Sequence, residues 1–147
     1  VASTVDRLRS YLDNVDPERP EYHAVVLAAT DPANPYGAAL GWPTDSEAHR
    51  PGRKAGALVA LVDGRLVWFL ERGGRSLLSF GADADAQRAA AGALTDLVSA
   101  GRIPSLLVER INGVAVLDPD VDAERAVVQD ALLGAGMSRT PRGLRLR

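Results

Sequence analysis

Residues 57–80 read ALVALVDGRLVWFLERGGRSLLSF, three apolar runs cut by Asp63-Gly64 and by Gly73-Gly74. Both pairs tolerate positive φ at the two central positions, as a tight hairpin between twisted strands requires. The spacing predicts an antiparallel meander, with strands over 57–62 and 65–70. Those strands are apolar at nearly every position. Both of their faces therefore need cover, either by closure into a barrel or from packed helices.

Working outward, Asn112-Gly113 separates SLLVERI from VAVLD and predicts another hairpin. Between the hairpins, Asp83 or Asp85 caps a helix running to about residue 100. Ala90, Leu94, Leu97 and Val98 form its apolar stripe, and Gly101 stops it. Asp120 or Asp122 opens a further helix through Leu133, stopped by Gly134 or Gly136. A short strand is predicted over 144–146. Upstream, 24–29 reads as a buried strand. Val5, Leu8, Leu12 and Val15 mark a first helix that Pro17 and Pro20 end. The order predicts an α+β fold, a small antiparallel, barrel-like sheet with two to three packed helices. Leu61, Val67, Phe69, Leu78, Leu94, Leu97, Leu107 and Leu132 are the expected core.

The 147 residues suggest one domain, and 46% apolar residues are ample for a core. The net charge of −2 shows no global attraction for nucleic acid. Cysteine is absent, which excludes disulfides and thiolate metal sites. His23 and His49 have no metal-binding spacing. No GxxxxGK[ST] phosphate loop occurs, and no apolar run reaches the length of a membrane span. With no amino-terminal signal pattern, the expectation is a soluble, cytoplasmic domain without contact with a membrane.

Two basic clusters remain as candidates. Arg139, Arg142, Arg145 and Arg147 crowd residues 139–147 with no acid among them. Arginine forks there, with backbone N–H groups near Gly143, suit phosphate oxygens. The alternative is a solvated strand edge that discourages aggregation. Arg50, Arg53 and Lys54 form the second cluster, in a long proline-rich loop that also carries Tyr36 and Trp42. Cations mixed with stackable rings suit single-stranded nucleic acid. Equally, both rings can point inward and cover a small core. Arg72 and Arg75 flank the Gly73-Gly74 turn, where charge often serves solubility alone. Glu71 and Glu109, each followed by an arginine, read as ion-pair partners rather than an acid/base pair. Asp31 before Pro32 fits an Asx turn. No catalytic set and no metal site can be assembled.

The loop LAATDPANPYGAALGWP (27–43), the run 50–80, LLVERINGVAV (106–116), TPRGLRLR (140–147) and VDRLR (5–9) together resemble the carboxy-terminal end of one helicase family. This is the Lhr family of ATP-dependent DNA helicases, whose tail is similar to AlkZ-like DNA glycosylases. The resemblance implies that residues 21–147 are a terminal β-barrel-like module, and that 1–16 end a preceding winged-helix domain. It implies an accessory domain in DNA repair that binds or positions DNA, single-stranded or tailed duplex. The alternative it leaves open is an assembly module in a homo-oligomer with no DNA contact. No cofactor is expected in this domain, since ATP and Mg belong to the family's upstream motor. Base excision is linked with such tails, and its carboxylate would have to be Asp31, Glu71, Glu109 or a group elsewhere. The fragment alone reads as non-catalytic.

Overall fold

A computed structural model describes residues 22–43 and 50–147. The helix expected over 1–16 lies outside these residues, as does His49. The described elements are β1 (Ala24–Ala28), β2 (Leu58–Val62), β3 (Arg65–Leu70), β4 (Ser76–Ser79) and α1 (Ala84–Ser99). They continue with β5 (Leu106–Val108), β6 (Arg110–Ile111), β7 (Val114–Ala115), α2 (Ala123–Gly134), β8 (Ser138–Thr140) and β9 (Gly143–Leu146). The fold is α+β. No helix among these residues is long and apolar enough to cross a membrane.

The larger sheet has the order β1-β2-β3-β4-β6-β7, and the smaller one β5-β9-β8. The large sheet is open, which corrects the barrel-like expectation: β1 and β7 lie at its two ends and do not pair. It is also not wholly antiparallel, because β4 and β6 run parallel through Ser76↔Arg110 and Leu77↔Ile111. The second apolar face is covered without closure. Val59, Leu61, Leu66, Phe69 and Leu78 pack there with Ala29 and Ala57, beneath Tyr36 and Trp42 of the loop after β1. The opposite face meets α1, α2 and the small sheet around Trp68, Leu77, Leu94, Val108, Leu132 and Leu144.

A bulge in β3 reconciles the apolar run with two faces. Ala60 pairs with Trp68 but Leu61 pairs with Leu66, leaving Val67 as the extra residue. Val67 and Trp68 therefore both reach the helix side, while Leu66 and Phe69 serve the loop side. Trp68 brings a polar nitrogen inside. Its Nε1 donates to Gln87 Oε1, and Gln87 Nε2 donates to Ser79 Oγ at 2.9 Å. Gln87 lies within α1, whose N-cap Asp83 accepts from the Ala86 N–H at 2.8 Å. No buried side-chain polar atom among the described residues lacks a partner.

The turns explain the remaining differences. Asp63 and Gly64 have φ of 50° and 80°, and Asn112 and Gly113 have 50° and 79°, so both are the expected tight hairpins. Gly73-Gly74 is not. Residues 72–75 form a wider loop containing a single 3-10 turn, closed by Glu71 N–H donating to Ser76 O at 2.9 Å. Gly74 is tucked beneath β5, where a Cβ would lie 3.2 Å from Leu106 Cδ2. The strand expected before Asn112 splits at Glu109, with β5 in the small sheet and β6 in the large one. Leu97 and Leu107 are only half-buried; Leu106 and Val108 point inward instead.

Candidate nucleic-acid interface

The small sheet and the β3–β4 connection enclose a groove of about 530 Å³. Its lining includes Arg75, Ser105, Leu107, Thr140, Arg142 and Arg145. Two separate segments, the β3–β4 connection and the β8–β9 hairpin, thus bring three arginines to one place. Arg75 follows the Gly73-Gly74 pair. Arg142 occupies the turn between β8 and β9, and Arg145 lies within β9. Alternation along β9 exposes Arg145 and buries Leu144 and Leu146, and Arg147, just past the strand, is exposed. Arg139 stands opposite Leu144 on edge strand β8 and is not among the groove residues.

The β8–β9 turn is held tightly. Thr140 Oγ1 donates to Gly143 O at 2.9 Å and accepts from the Arg142 N–H at 3.3 Å. That backbone donor, expected to face a phosphate, is therefore directed to the Thr140 hydroxyl. Gly143 has φ of 153°, and a Cβ there would sit 2.2 Å from Val108 O. Only glycine lets β9 approach β5 closely enough to bring Arg142 and Arg145 to the groove. Arg142 Nη2 is 3.0 Å from Glu109 Oε1.

The loop cluster does internal work. Arg53 Nη1 donates to Asn34 O at 2.9 Å and Tyr36 O at 3.1 Å, and Nη2 to Asp31 O at 3.1 Å and Thr30 O at 3.3 Å. Buried Asn34 adds a donation from Nδ2 to Ala29 O at 2.9 Å. Lys54 pairs with Glu71 at 2.8 Å and lies 6.0 Å from the Phe69 ring centroid. Tyr36 and Trp42 are half-buried, with ring centroids 6.3 Å apart, and Trp42 meets Phe69 edge-on at 5.6 Å. The Tyr36 hydroxyl accepts from the Leu66 N–H at 3.0 Å. Arg50 is exposed. The two clusters flank the same connection. Glu71 meets Lys54 on one side, while on the other Arg75 O accepts from the Glu109 N–H at 2.9 Å.

The sequence alone groups Arg142 with Arg145, whereas Arg75 reads there as a solubilising hairpin tip. The signal for Arg75 lies in Gly74, whose approach to Leu106 brings the connection against the small sheet. Carboxylates here act structurally: Asp31 Oδ1 accepts from the Ala33 N–H at 2.8 Å in an Asx turn. Among the described residues, no three His, Asp or Glu gather as a metal site would need. A smaller cavity of about 350 Å³ lies by Tyr22, Arg65, Phe80 and Asp83. There the Tyr22 hydroxyl donates to Asp83 Oδ2 at 3.1 Å, and that bond raises the phenol's pKa above its ordinary value.

No protein-family model matches the chain. Over all 147 residues it is 99% identical to part of a Mycolicibacterium smegmatis protein named Lhr helicase/probable uracil glycosylase. Over 75 residues, 51% of the chain, it is 41% identical to part of Lhr helicase/uracil glycosylase from Escherichia coli. The matched regions span 10% and 5% of the lengths of these two curated relatives. The chain is a near-identical match to a fragment of an Lhr helicase/uracil glycosylase.

Proposed function

We propose that this chain, matching a fragment of an Lhr helicase/uracil glycosylase, contributes residues 21–147 as a non-motor accessory domain that holds DNA by its phosphates. ATP and its metal belong, in this reading, to a motor elsewhere in the longer protein. The observation that carries the proposal is the convergence of Arg75, Arg142 and Arg145 on one groove. Guanidinium forks match pairs of phosphate oxygens, and Ser105 adds a hydroxyl group beside them. Tyr36 and Trp42 pack against each other and Phe69, so this reading assigns recognition to the backbone rather than to base stacking.

With a net charge of −2, the chain has little long-range pull on DNA. Affinity should be modest and steeply salt-dependent, because each neutralised phosphate releases counterions. The test is the affinity of the parent protein for a labelled oligothymidylate across a salt series. Arg142→Ala with Arg145→Ala should weaken binding at low salt without lowering Tm. It should also flatten the log–log salt slope by about 0.7 for each phosphate that is no longer neutralised. Unchanged affinity and slope, with loss of an oligomer on deleting residues 21–147, would assign the region to assembly instead. An interface built on Trp68 and Phe69 is disfavoured, since both rings are fully buried.

A further inference from the structure

We propose that Glu109 is a built-in competitor for the anion, occupying Arg142 until a ligand reaches several groove arginines at once. The proposal rests on the reading that the groove takes phosphate. Glu109 sits where the chain passes from β5 in one sheet to β6 in the other. Its backbone is fixed on both sides: its N–H donates to Arg75 O and its carbonyl accepts from the Val116 N–H, each at 2.9 Å. Its carboxylate lies 3.0 Å from Arg142 Nη2, with the Arg142 side chain 69% exposed and that of Glu109 29% exposed. The anion is thus the more buried partner, and the cation extends on a longer, more exposed stem.

A carboxylate and a phosphate present the same pair of oxygens to a guanidinium. Exposed ion pairs are weak, so exchange at Arg142 is readily reversed. A lone monoanion gains little by displacing Glu109. A phosphodiester chain also meets Arg75 and Arg145, which Glu109 leaves unengaged. Glu109 therefore discriminates in favour of polyanions and keeps Arg142 directed at the groove while it is empty.

The experiment uses the parent protein, a labelled oligothymidylate as the polyanion and inorganic phosphate as the small competitor. Glu109→Gln should tighten oligothymidylate binding about two- to five-fold at low salt, the range an exposed ion pair can set. It should also make binding more sensitive to inorganic phosphate. Asp96→Asn, an exposed carboxylate on α1, controls for net charge and should give a smaller gain. In an Arg142→Ala background the gain from Glu109→Gln should vanish. Glu109→Asp keeps the charge but withdraws it by one methylene, and should give an intermediate gain if Glu109→Gln folds poorly. A gain no larger than that of Asp96→Asn, or one that persists without Arg142, overturns the competitor. If Arg145→Ala weakens binding in that case, the groove reading survives alone. If neither Arg142→Ala nor Arg145→Ala changes affinity, the groove reading falls as well.

Discussion

Arg53 is the residue on which the long loop depends. Its guanidinium holds the carbonyls of Thr30, Asp31, Asn34 and Tyr36, and so keeps Tyr36 and Trp42 over the sheet. Arg53→Ala should cost about 1.5–3 kcal/mol, the range for hydrogen bonds to a charged donor. Arg53→Lys should recover little, since one ammonium cannot serve carbonyls spread across a planar fork. Denaturant unfolding, with limited proteolysis of 30–43, would show it. A lysine variant as stable as the wild type would remove the guanidinium from its role. This role was not legible in the sequence, where Arg53 beside Lys54 reads as a cationic patch. Its acceptors are backbone carbonyls some twenty positions upstream, and a carbonyl leaves no mark in the residue alphabet.

At the scale of elements, local chemistry was legible and pairing was not. Asp83 and Asp122 stand at the helix starts as expected, each accepting the N–H of the residue three positions on, at 2.8 Å. Those backbone bonds are the main reason both carboxyls sit below their ordinary range. In the unfolded chain they return to about 3.9. The stability they add is therefore complete above that value and is lost as pH falls through the lower, folded pKa. Asp83→Ala and Asp122→Ala should each lower Tm near neutrality and decline less steeply on acidification below about pH 4. A Tm series descending from neutral pH checks this, and parallel curves for wild type and variants would refute it. The turns at Asp63-Gly64 and Asn112-Gly113 were equally legible, because positive φ is a local demand. Gly73-Gly74 was legible in part: β3 and β4 pair antiparallel across it and both glycines take positive φ, but the connection widens to residues 72–75, where Gly74 also answers to Leu106. β8 carried no signal: Ser138, Arg139 and Thr140 form a polar edge that exists only by pairing with β9.

For the whole molecule, the sequence required cover on both faces of the meander but not its source. Helices cover one face and an irregular loop the other, so no barrel closure was needed. Val59, Leu61 and Phe69 on the loop side alternate with Ala60, Val62 and Leu70 on the helix side of the same strands. Neither cluster can dissolve without disturbing the strands that support the other. Unfolding should therefore be a single transition. The two tryptophans test this, since Trp42 belongs to one cluster and Trp68 to the other. In Trp42→Phe and in Trp68→Phe, the remaining fluorescence and the far-UV circular dichroism should change together with denaturant. An earlier loss of the Trp42 signal would mean that the loop face opens on its own. The small sheet has a different consequence, one of timing. Its middle strand, β9, is translated after both β5 and β8, which it joins. On the ribosome, β5 must wait on the order of seconds for its partner to emerge. Arg142 and Arg145 arrive with that same hairpin. A nascent chain stalled before it would have its large sheet in place but lack two of the three groove arginines.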